Sequence, residues 1–333
     1  MPPGTLLSLP EIAQAVLARL ADGRFHSGQA LAGDLKISRT TVWQQVQWLR
    51  ALGVEIQAVA GRGYRLTRPL ELLDQERIVS ALDLPPGCPL PSVEIYACLP
   101  STNTYLLETA AAHPSVSVCL AEAQTQGKGR LGRTWTSPFG YNLYFSLLWR
   151  FACGESLSGL SLAAGVAVLR ELLALGFPQL QLKWPNDILW QGKKLGGILI
   201  EAVTEPQGQC VAVIGLGLNL WLPAREAAAI DQPWVDGYTI LGESLPSRNL
   251  IAAKVIRGLL ALLCAYSEQG ITPWLEEWRL VNCVLGRNVE VIQAGQRYEA
   301  IAVDVTEDGF LIVQCQGQHQ ILAAGEVRLK LHE

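Results

Sequence analysis

The segment from Gln124 to Trp135 carries the residue types that handle anionic ligands. It reads Gln-Thr-Gln-Gly-Lys-Gly-Arg-Leu-Gly-Arg-Thr-Trp, with three glycines and three cations before an indole. Glycine lets backbone N–H groups approach a ligand closely, and the cations supply charge that suits phosphate or carboxylate. The segment is not a Walker A loop, because Gly-x-x-x-x-Gly-Lys-Ser/Thr is absent. A solvated surface turn is the alternative interpretation, so the neighbouring segments decide its meaning.

Further motifs flank this loop in a fixed order. Ser101-Thr102-Asn103 precedes it, and Lys183-Trp-Pro-Asn-Asp-Ile188, Lys194-Leu-Gly-Gly-Ile-Leu and Gly215-Leu-Gly-Leu-Asn219 follow it. Together the five motifs resemble the biotin–protein ligases over essentially the whole chain. The resemblance is closest to the two-headed form that is also a biotin-operon repressor.

The chemistry of that family can be argued from the residue types. Joining a carboxylic acid to a lysine amine is uphill without activation, so ATP must first adenylate the acid. This step needs cations around the developing charge and a pocket that keeps water from the mixed anhydride. The resemblance therefore implies ATP, Mg²⁺ and biotin as ligands, biotinyl-5′-AMP as intermediate, and a lysine of a biotin carboxyl carrier protein as acceptor.

The resemblance and the chemistry of the residue types together indicate the site residues. The expected catalytic residues are Arg130, Lys183 and Lys194. The expected biotin contacts are Ser101, Thr102, Asn103, Gln124, Lys128, Gly129, Arg130 and Lys194. The expected ATP contacts are Arg130, Arg133, Trp135, Asn186, Asp187 and Asn219, with Asp187 also a candidate Mg²⁺ ligand and Glu326 and Arg328 candidates for closing over ATP.

Several of these residues have a purely structural alternative. Trp135 either stacks on adenine or packs in the core, and Lys194 on pattern alone is an exposed lysine at a strand start. The Ser101 to Asn103 triplet offers hydroxyl and amide groups to a cyclic urea, yet it also suits a helix N-cap. Lys128 stands where the family usually has arginine, which keeps the charge but loses the planar fork.

The first 68 residues carry a different signal, a net positive charge. They hold eight Lys and Arg against four Asp and Glu, a net charge of +4, although the whole chain has a net charge of −4. Ile12–Leu20, Gln29–Leu35 and a helix from an N-cap at Ser38 to about Leu52 are predicted, followed by strands 55–59 and 64–66. This order of helices and strands is typical of a winged helix-turn-helix. Its positive charge suggests that this domain binds a polyanion.

The third predicted helix of that unit, from Ser38 to about Leu52, is the predicted recognition helix. Val42, Val46, Leu49 and Leu52 recur at helical spacing and should face inward. The expected DNA contacts are Ser38, Arg39, Thr40, Thr41 and Gln44 on the helix, and Arg62 and Arg65 on the hairpin. Trp43 and Trp48 suit either core or interface, with core favoured for Trp48. A winged helix kept only for protein contacts is the alternative.

The overall class is α+β with three domains and one connecting segment, four parts in all. The domains are a winged helix-turn-helix at 1–68, a class II synthetase-like mixed-sheet catalytic domain at 88–282 and a small SH3-like β-barrel at 283–333, and a connecting helix and linker at 69–87 joins the first two. The connecting helix is predicted over 70–82 after Pro69. Strands are predicted at 92–99, 116–123, 142–150, 181–184, 194–201, 210–218, 288–292, 297–305, 310–314 and 319–323, and helices at 103–112, 157–175, 249–269 and 271–281.

Composition limits the cellular setting. Half of the 333 residues are hydrophobic and 17% are charged, which allows a large core. The sequence lacks a long uncharged apolar run and a signal-like amino terminus, so a cytoplasmic protein without a membrane partner is expected. Eight cysteines are scattered without Cys-x-x-Cys spacing, which favours buried, reduced thiols over a zinc site.

The family likeness implies two further partners and leaves rivals open. Biotinyl-AMP in the site should favour a homodimer, through strands near Ile198–Val203, that places two winged helices on a two-fold operator DNA. The rivals are a lipoate ligase relative, a ligand-sensing repressor with a dead catalytic site, and a monofunctional ligase whose first domain no longer binds DNA.

Overall fold

Three helices and a hairpin form the first part of the chain in a computed structural model. The structure describes residues 10–68, 70–152, 155–204, 209–293, 296–324 and 327–331, without the side chains of 224 and 327–331. The elements are α1 (Glu11–Leu20), α2 (Gly28–Leu35), α3 (Arg39–Ala51), β1 (Ile56–Val59) and β2 (Gly63–Leu66), with β1 and β2 antiparallel. The predicted winged helix-turn-helix is confirmed.

Helix α3 begins where the sequence predicted. Ser38 is its N-cap, and its Oγ accepts a hydrogen bond from the backbone N–H of Thr41 at 3.0 Å. Val42, Val46 and Leu49 are fully buried against the other two helices, as their spacing predicted. Trp48 packs against the same core, whereas Trp43 remains 54% exposed.

The predicted connecting helix over 70–82 is wrong in its first half. Only α4 (Gln75–Ser80) is helical, capped by Asp74, whose carboxylate accepts from the N–H of Arg77. The backbone before it instead finds distant side chains: the N–H of Leu73 donates to Glu122 Oε1 and that of Asp74 donates to Asn249 Oδ1. These acceptors replace the helical carbonyls, so the segment lies extended over the next domain. Pro69 lies outside the described residues.

A seven-stranded mixed sheet forms the centre of the molecule. Its strands run in the order β3-β4-β5-β9-β8-β7-β6; β3 and β4 are parallel, and the other neighbouring pairs are antiparallel. The bounds are β3 (Ser92–Leu99), β4 (Val116–Gln124), β5 (Leu143–Phe151), β6 (Leu180–Lys183), β7 (Asp187–Trp190), β8 (Lys193–Thr204) and β9 (Cys210–Leu218).

Further helices accompany this sheet in chain order. They are α5 (Thr102–Glu108), α6 (Leu160–Ala174), α7 (Ala224–Ala227), α8 (Gly237–Leu241), α9 (Arg248–Gln269) and α10 (Thr272–Val281). Helix α9 is long and apolar enough to cross a membrane by length and composition. Most of it is buried, however, and it shares the main core with α6, so it is the central core helix of this domain.

The last part of the chain is a five-stranded antiparallel sheet. Its strands are β10 (Asn288–Gln293), β11 (Gln296–Val305), β12 (Leu311–Cys315), β13 (Gln318–Leu322) and β14 (Val327–Leu331), in the order β13-β12-β11-β10-β14. The sequence predicted the first four and missed β14. The indole N–H of Trp184 donates to the carbonyl of Gly309, which ties this sheet to the central domain. The predicted α+β class is confirmed.

The cysteines only partly match their prediction. Cys98, Cys119 and Cys283 are buried, and burial raises the pKa of the Cys98 and Cys119 thiols. Cys88, Cys210, Cys264 and Cys315 are partly exposed, although all of the cysteines in the described ranges are free. Cys153 lies outside those ranges.

Candidate active site

Three glycines on adjacent strands form the floor of the candidate site. Gly215 and Gly217 lie two residues apart on β9 and so share one face of the sheet, and Gly217 pairs with Gly197 on β8. A Cβ atom on Gly215 would lie 2.1 Å from Asn103 Oδ1, and one on Gly217 would lie 2.4 Å from Trp135 Cε2. The absence of side chains at these positions lets the polar and aromatic groups lie directly on the sheet backbone.

The basic glycine loop forms a small closed hairpin beside this floor. The N–H of Trp135 donates to the carbonyl of Gly127 at 2.8 Å, and the N–H of Gly129 donates to the carbonyl of Arg133 at 2.7 Å. A Cβ on Gly127 would lie 2.5 Å from the Trp135 carbonyl oxygen, so the hairpin needs glycine there. Leu131, at the tip, has φ +56° and is 57% exposed.

Trp135 packs its indole against Gly217 on the floor. Its Nε1 hydrogen is buried and has no acceptor among the residues that the structure describes. A buried donor without an acceptor costs about 1–3 kcal/mol. The indole therefore offers an unsatisfied donor beside Gly217 as well as its packing surface.

Lys194 brings a cation over the same floor. Its Nζ lies 2.6 Å from Asp187 Oδ1, and the two side chains are only 15% and 19% exposed. The same ammonium lies 5.4 Å from the centroid of the Trp135 ring. Asp187 pairs with Gly197 across β7 and β8 and with Lys183 across β6 and β7, so the strand register brings these three motif residues together.

The two loop arginines have different surroundings. Arg130 donates from Nη2 to the carbonyl of Ala324, which connects the basic loop with the last domain. Burial lowers the pKa of the Arg130 guanidinium, and the Asp187 carboxylate opposes that shift. Arg133 forms an ion pair with Asp231 at 2.8 Å near the surface. Lys128 is exposed.

The Ser-Thr-Asn triplet is buried at the start of α5. Ser101 is the N-cap of that helix, and its Oγ accepts from the N–H of Thr104 at 3.4 Å. Gln124 Oε1 accepts from the backbone N–H of Thr102 at 2.9 Å, which places this predicted biotin contact against the triplet. Capping and ligand contact are therefore compatible for this segment.

Two predicted ATP contacts hold the local backbone. Asn186 Nδ2 donates to the carbonyl of Ile198 at 2.6 Å, and Asn219 Nδ2 donates to the carbonyl of Val235 at 3.3 Å. Their roles toward a nucleotide stay predictions. Glu326 lies outside the described residues, and Arg328 is described only by its backbone in β14.

The predicted DNA-binding surface lies on the first domain. Arg39, Thr40 and Gln44 are exposed on α3, and Thr41 is half-buried beside its N-cap Ser38. On the wing, the guanidinium of Arg62 lies 4.2 Å and that of Arg65 lies 4.7 Å from the centroid of the Phe25 ring. The aromatic ring thus aligns two cations at the hairpin.

Comparison with known proteins identifies the family. A model of the biotin/lipoate A/B protein ligase family matches residues 95–219, an HTH domain model matches 13–65, and a model of the biotin protein ligase C terminal domain matches 284–330. The bifunctional ligase/repressor BirA of Salmonella typhimurium is 36% identical over 96% of this chain and 97% of its own length. The chain belongs to the biotin/lipoate A/B protein ligase family.

Other members of this family match a smaller part of the chain. The biotin--[acetyl-CoA-carboxylase] ligase of Mycobacterium tuberculosis is 34% identical over 71% of this chain and 88% of its own length. The biotin protein ligase from Aquifex aeolicus in complex with biotin and ATP covers 72% of this chain and 99% of that chain, with 25% identity and a TM-score of 0.62. This chain also matches the HTH domain model, a feature that it shares with the ligase/repressor relatives over their nearly full-length similarity.

Sequence reasoning missed two polar residues of this ligase family member. Ser146 on β5 lies against Thr102 and Asn103, and Glu201 on β8 accepts from Asn103 Nδ2 at 2.8 Å. Ser146 pairs with Gly215 across β5 and β9, so a serine inside the apolar run 143–149 is the signal that was available.

Proposed function

We propose that this protein is an ATP-dependent biotin–protein ligase. In the first step a carboxylate oxygen of biotin attacks the α-phosphorus of ATP, the bond to the β-phosphate breaks, and pyrophosphate leaves. In the second step the neutral amine of a carrier lysine attacks the biotinyl carbonyl, the bond to AMP breaks, and the nitrogen loses a proton. The observation that carries the proposal is the convergence of Lys194, Asp187 and Trp135 on the glycine floor.

The roles of the cations follow from their surroundings. Lys194 holds the biotin carboxylate, because its ammonium is largely screened from water and therefore attracts an anion strongly. Arg130 stabilises the charge that develops on the α-phosphate and retains the intermediate, and Lys128 and Arg133 add charge at the rim. Lys183 supports Asp187 across the hairpin. Trp135 contacts the adenine ring.

Biotin is proposed to lie with its ring against the Ser-Thr-Asn triplet. Ser101, Thr102 and Gln124 surround one end of the floor, and the Gly129 segment closes over it. Asn103 lies on the floor at this end and is fixed there, since its amide nitrogen already donates to Glu201 and to the Leu199 carbonyl. Asn186 and Asn219 position the nucleotide side of the floor.

Magnesium fits this site only as a companion of ATP. Groups of three or more metal-ligating side chains do not occur among the residues described, whereas Asp187 offers a single carboxylate. Mg²⁺ is commonly held by one or two carboxylates together with substrate phosphates and waters. We therefore propose that Asp187 would hold this ion, which would neutralise phosphate charge.

The ligase proposal is tested by two reactions with purified protein. Biotin-dependent exchange of labelled pyrophosphate into ATP measures adenylation, and labelling of a biotin carboxyl carrier domain measures transfer. The same assays with lipoate and a lipoyl domain test the related chemistry. Activity only with lipoate, or with neither acid, would contradict the proposal.

We also propose that the protein is a biotin-responsive repressor. The exposed face of α3 and the paired wing arginines support contacts with operator DNA. In this proposal biotinyl-AMP favours a homodimer through β8 near 198–203, where Val203 is 43% exposed. The proposed place of action is the cytoplasm. Salt-sensitive DNA binding that requires biotin and ATP would support this function. Carrier labelling without DNA binding would favour the monofunctional alternative.

A further inference from the structure

Ser146 occupies an unusual position between two other polar side chains. It is fully buried on β5, and its Oγ lies 2.6 Å from Thr102 Oγ1 and 2.5 Å from Asn103 Oδ1. Both distances are those of O–H···O hydrogen bonds. A serine hydroxyl has one proton, however, so Ser146 can donate in only one of the two contacts.

The orientation of Asn103 decides which contact receives that proton. Its Nδ2 lies 2.8 Å from Glu201 Oε2 and 3.2 Å from the Leu199 carbonyl oxygen. Both partners are acceptors, and an amide nitrogen only donates, so the side chain cannot be flipped. The amide oxygen that faces Ser146 carries no proton. Ser146 must therefore donate to Asn103.

The direction of the next hydrogen bond follows. With its own proton used, Ser146 accepts from Thr102, so the Thr102 hydroxyl hydrogen points to Ser146. The other acceptor near Thr102 Oγ1 is Gln124 Oε1, which is more distant at 3.3 Å and also accepts from the Thr102 backbone N–H at 2.9 Å. Whichever of the two acceptors it meets, the Thr102 hydroxyl hydrogen is used within the protein. Only lone pairs of Thr102 Oγ1 remain for a ligand.

We infer that Ser146 and Glu201 fix the hydrogen-bonding polarity of Thr102, so that it accepts from a ring N–H of the ligand and rejects a ring acceptor. The inference rests on the proposed function, in which Thr102 contacts the biotin ring. Glu201 acts at the far end of the chain of hydrogen bonds, where its carboxylate orients Asn103. Ser146 is a positioning residue, because it acts through Thr102 and does not touch the ligand.

A double-mutant cycle tests this relay in the full-length protein. The Michaelis constant for biotin in pyrophosphate exchange is measured for wild type, Ser146→Ala, Thr102→Val and the double variant. Ser146→Ala should raise the KM for biotin about tenfold, since the Thr102 hydroxyl then loses its partner at 2.6 Å and keeps only the longer contact with Gln124 at 3.3 Å. The KM for ATP should stay unchanged.

The coupling between the two positions distinguishes a relay from two separate contacts. If Ser146 acts through Thr102, the double variant should match Thr102→Val alone. If the fold increase in the KM for biotin of the double variant equals the product of the two single-variant increases, the relay is wrong. Thermal unfolding checks each variant, and Ser146→Cys replaces Ser146→Ala if the latter does not fold, because a thiol keeps the shape but accepts hydrogen bonds weakly.

A second probe reads the polarity itself. Two biotin analogues, each with one ureido N–H replaced by CH₂, are compared with biotin. For wild type, the dissociation constant of one analogue should be at least about tenfold higher than that of biotin. In Ser146→Ala, this ratio of dissociation constants should be smaller. An unchanged ratio would overturn the relay. A wild-type protein without biotin-dependent exchange would instead overturn the proposed ligase function, and the relay with it.

Discussion

Lys194 and Asp187 form a largely buried ion pair at 2.6 Å on the candidate active-site floor. The pair lies beside the Trp135 ring, which removes water from one side of the ammonium. The carboxylate therefore keeps the ammonium in position before an anionic ligand enters. When a ligand carboxylate arrives, Lys194 gains a second anion without having to be reoriented.

Loss of Lys194 should weaken biotin binding steeply. We expect Lys194→Ala to raise the dissociation constant for biotin by about 10- to 100-fold, the range for hydrogen bonds to charged groups. Lys193→Ala is the matched control, because Lys193 is the exposed preceding residue. Isothermal titration of both variants with biotin measures the difference. Equal affinity in Lys194→Ala and wild type would remove Lys194 from the biotin site.

Arg130 should retain the activated intermediate. Its guanidinium is partly buried and donates to the carbonyl of Ala324 in the last domain, so Arg130→Gly removes both a cation and a contact between the loop and that domain. We expect adenylation to continue while biotinyl-AMP escapes and labels lysines of bystander proteins. Arg130→Lys keeps the charge and should leak less. Each variant is mixed with serum albumin, and the biotin attached to the albumin is measured. If Arg130→Gly attaches no more biotin to albumin than wild type does, the retention role is contradicted.

Trp135 should report ligand binding through its fluorescence. The buried indole N–H, which lacks an acceptor among the described residues, predicts that the ring changes its environment when a ligand fills the site. The chain has ten tryptophans, so the measured signal is the difference between wild type and Trp135→Phe. Adding biotin and ATP should change the emission of wild type and leave that of the variant nearly constant. Identical changes in both proteins would place the response at another tryptophan.

Local chemistry made the helix and strand positions readable from the sequence. The Ser38 cap, the helical spacing of Val42 and Val46, and the glycine turns of the last domain all act within a few residues. The extended segment before α4 was predicted as helix, because its acceptors, Glu122 and Asn249, are remote in sequence. Such partners leave no periodic signal.

The candidate site shows the same limit. Motif similarity indicates residues such as Lys194. Ser146 appears in the sequence only as a serine within an apolar run, and the contacts of Ser146 and Glu201 with Asn103 follow from the strand register. The glycines of β9 form a recognisable sequence motif, but their role as a floor under Asn103 and Trp135 needs the folded sheet.

The Glu122 and Arg248 pair should stabilise the contact between linker and central domain. Their atoms lie 2.9 Å apart with side chains only 3% and 8% exposed, and both also bind the linker backbone. Removing one partner leaves a buried charge, so Glu122→Ala should lower the free energy of unfolding by about 3–5 kcal/mol. Asp34→Ala, which breaks the exposed pair with Arg19, should cost less than about 1 kcal/mol. Urea unfolding of both variants tests the contrast, and similar losses would contradict it.

Trp43 should contribute to DNA recognition without contributing charge. Its indole is 54% exposed on α3 next to Thr40 and Gln44, a position where apolar contact with thymine methyl groups is available in the major groove. We expect Trp43→Ala to weaken operator binding by about tenfold while the dependence of affinity on salt concentration stays unchanged, because counterion release depends on cations.

Arg39→Ala is the comparison for that prediction. It should weaken binding to every DNA sequence and reduce the salt slope by about one. Leu280→Ala, an exposed apolar residue on α10, controls for loss of apolar surface. Fluorescence anisotropy at several salt concentrations separates the three variants. If Trp43→Ala binds operator as wild type does while Arg39→Ala is impaired, the face of α3 reaches phosphates, and sequence is read by other residues.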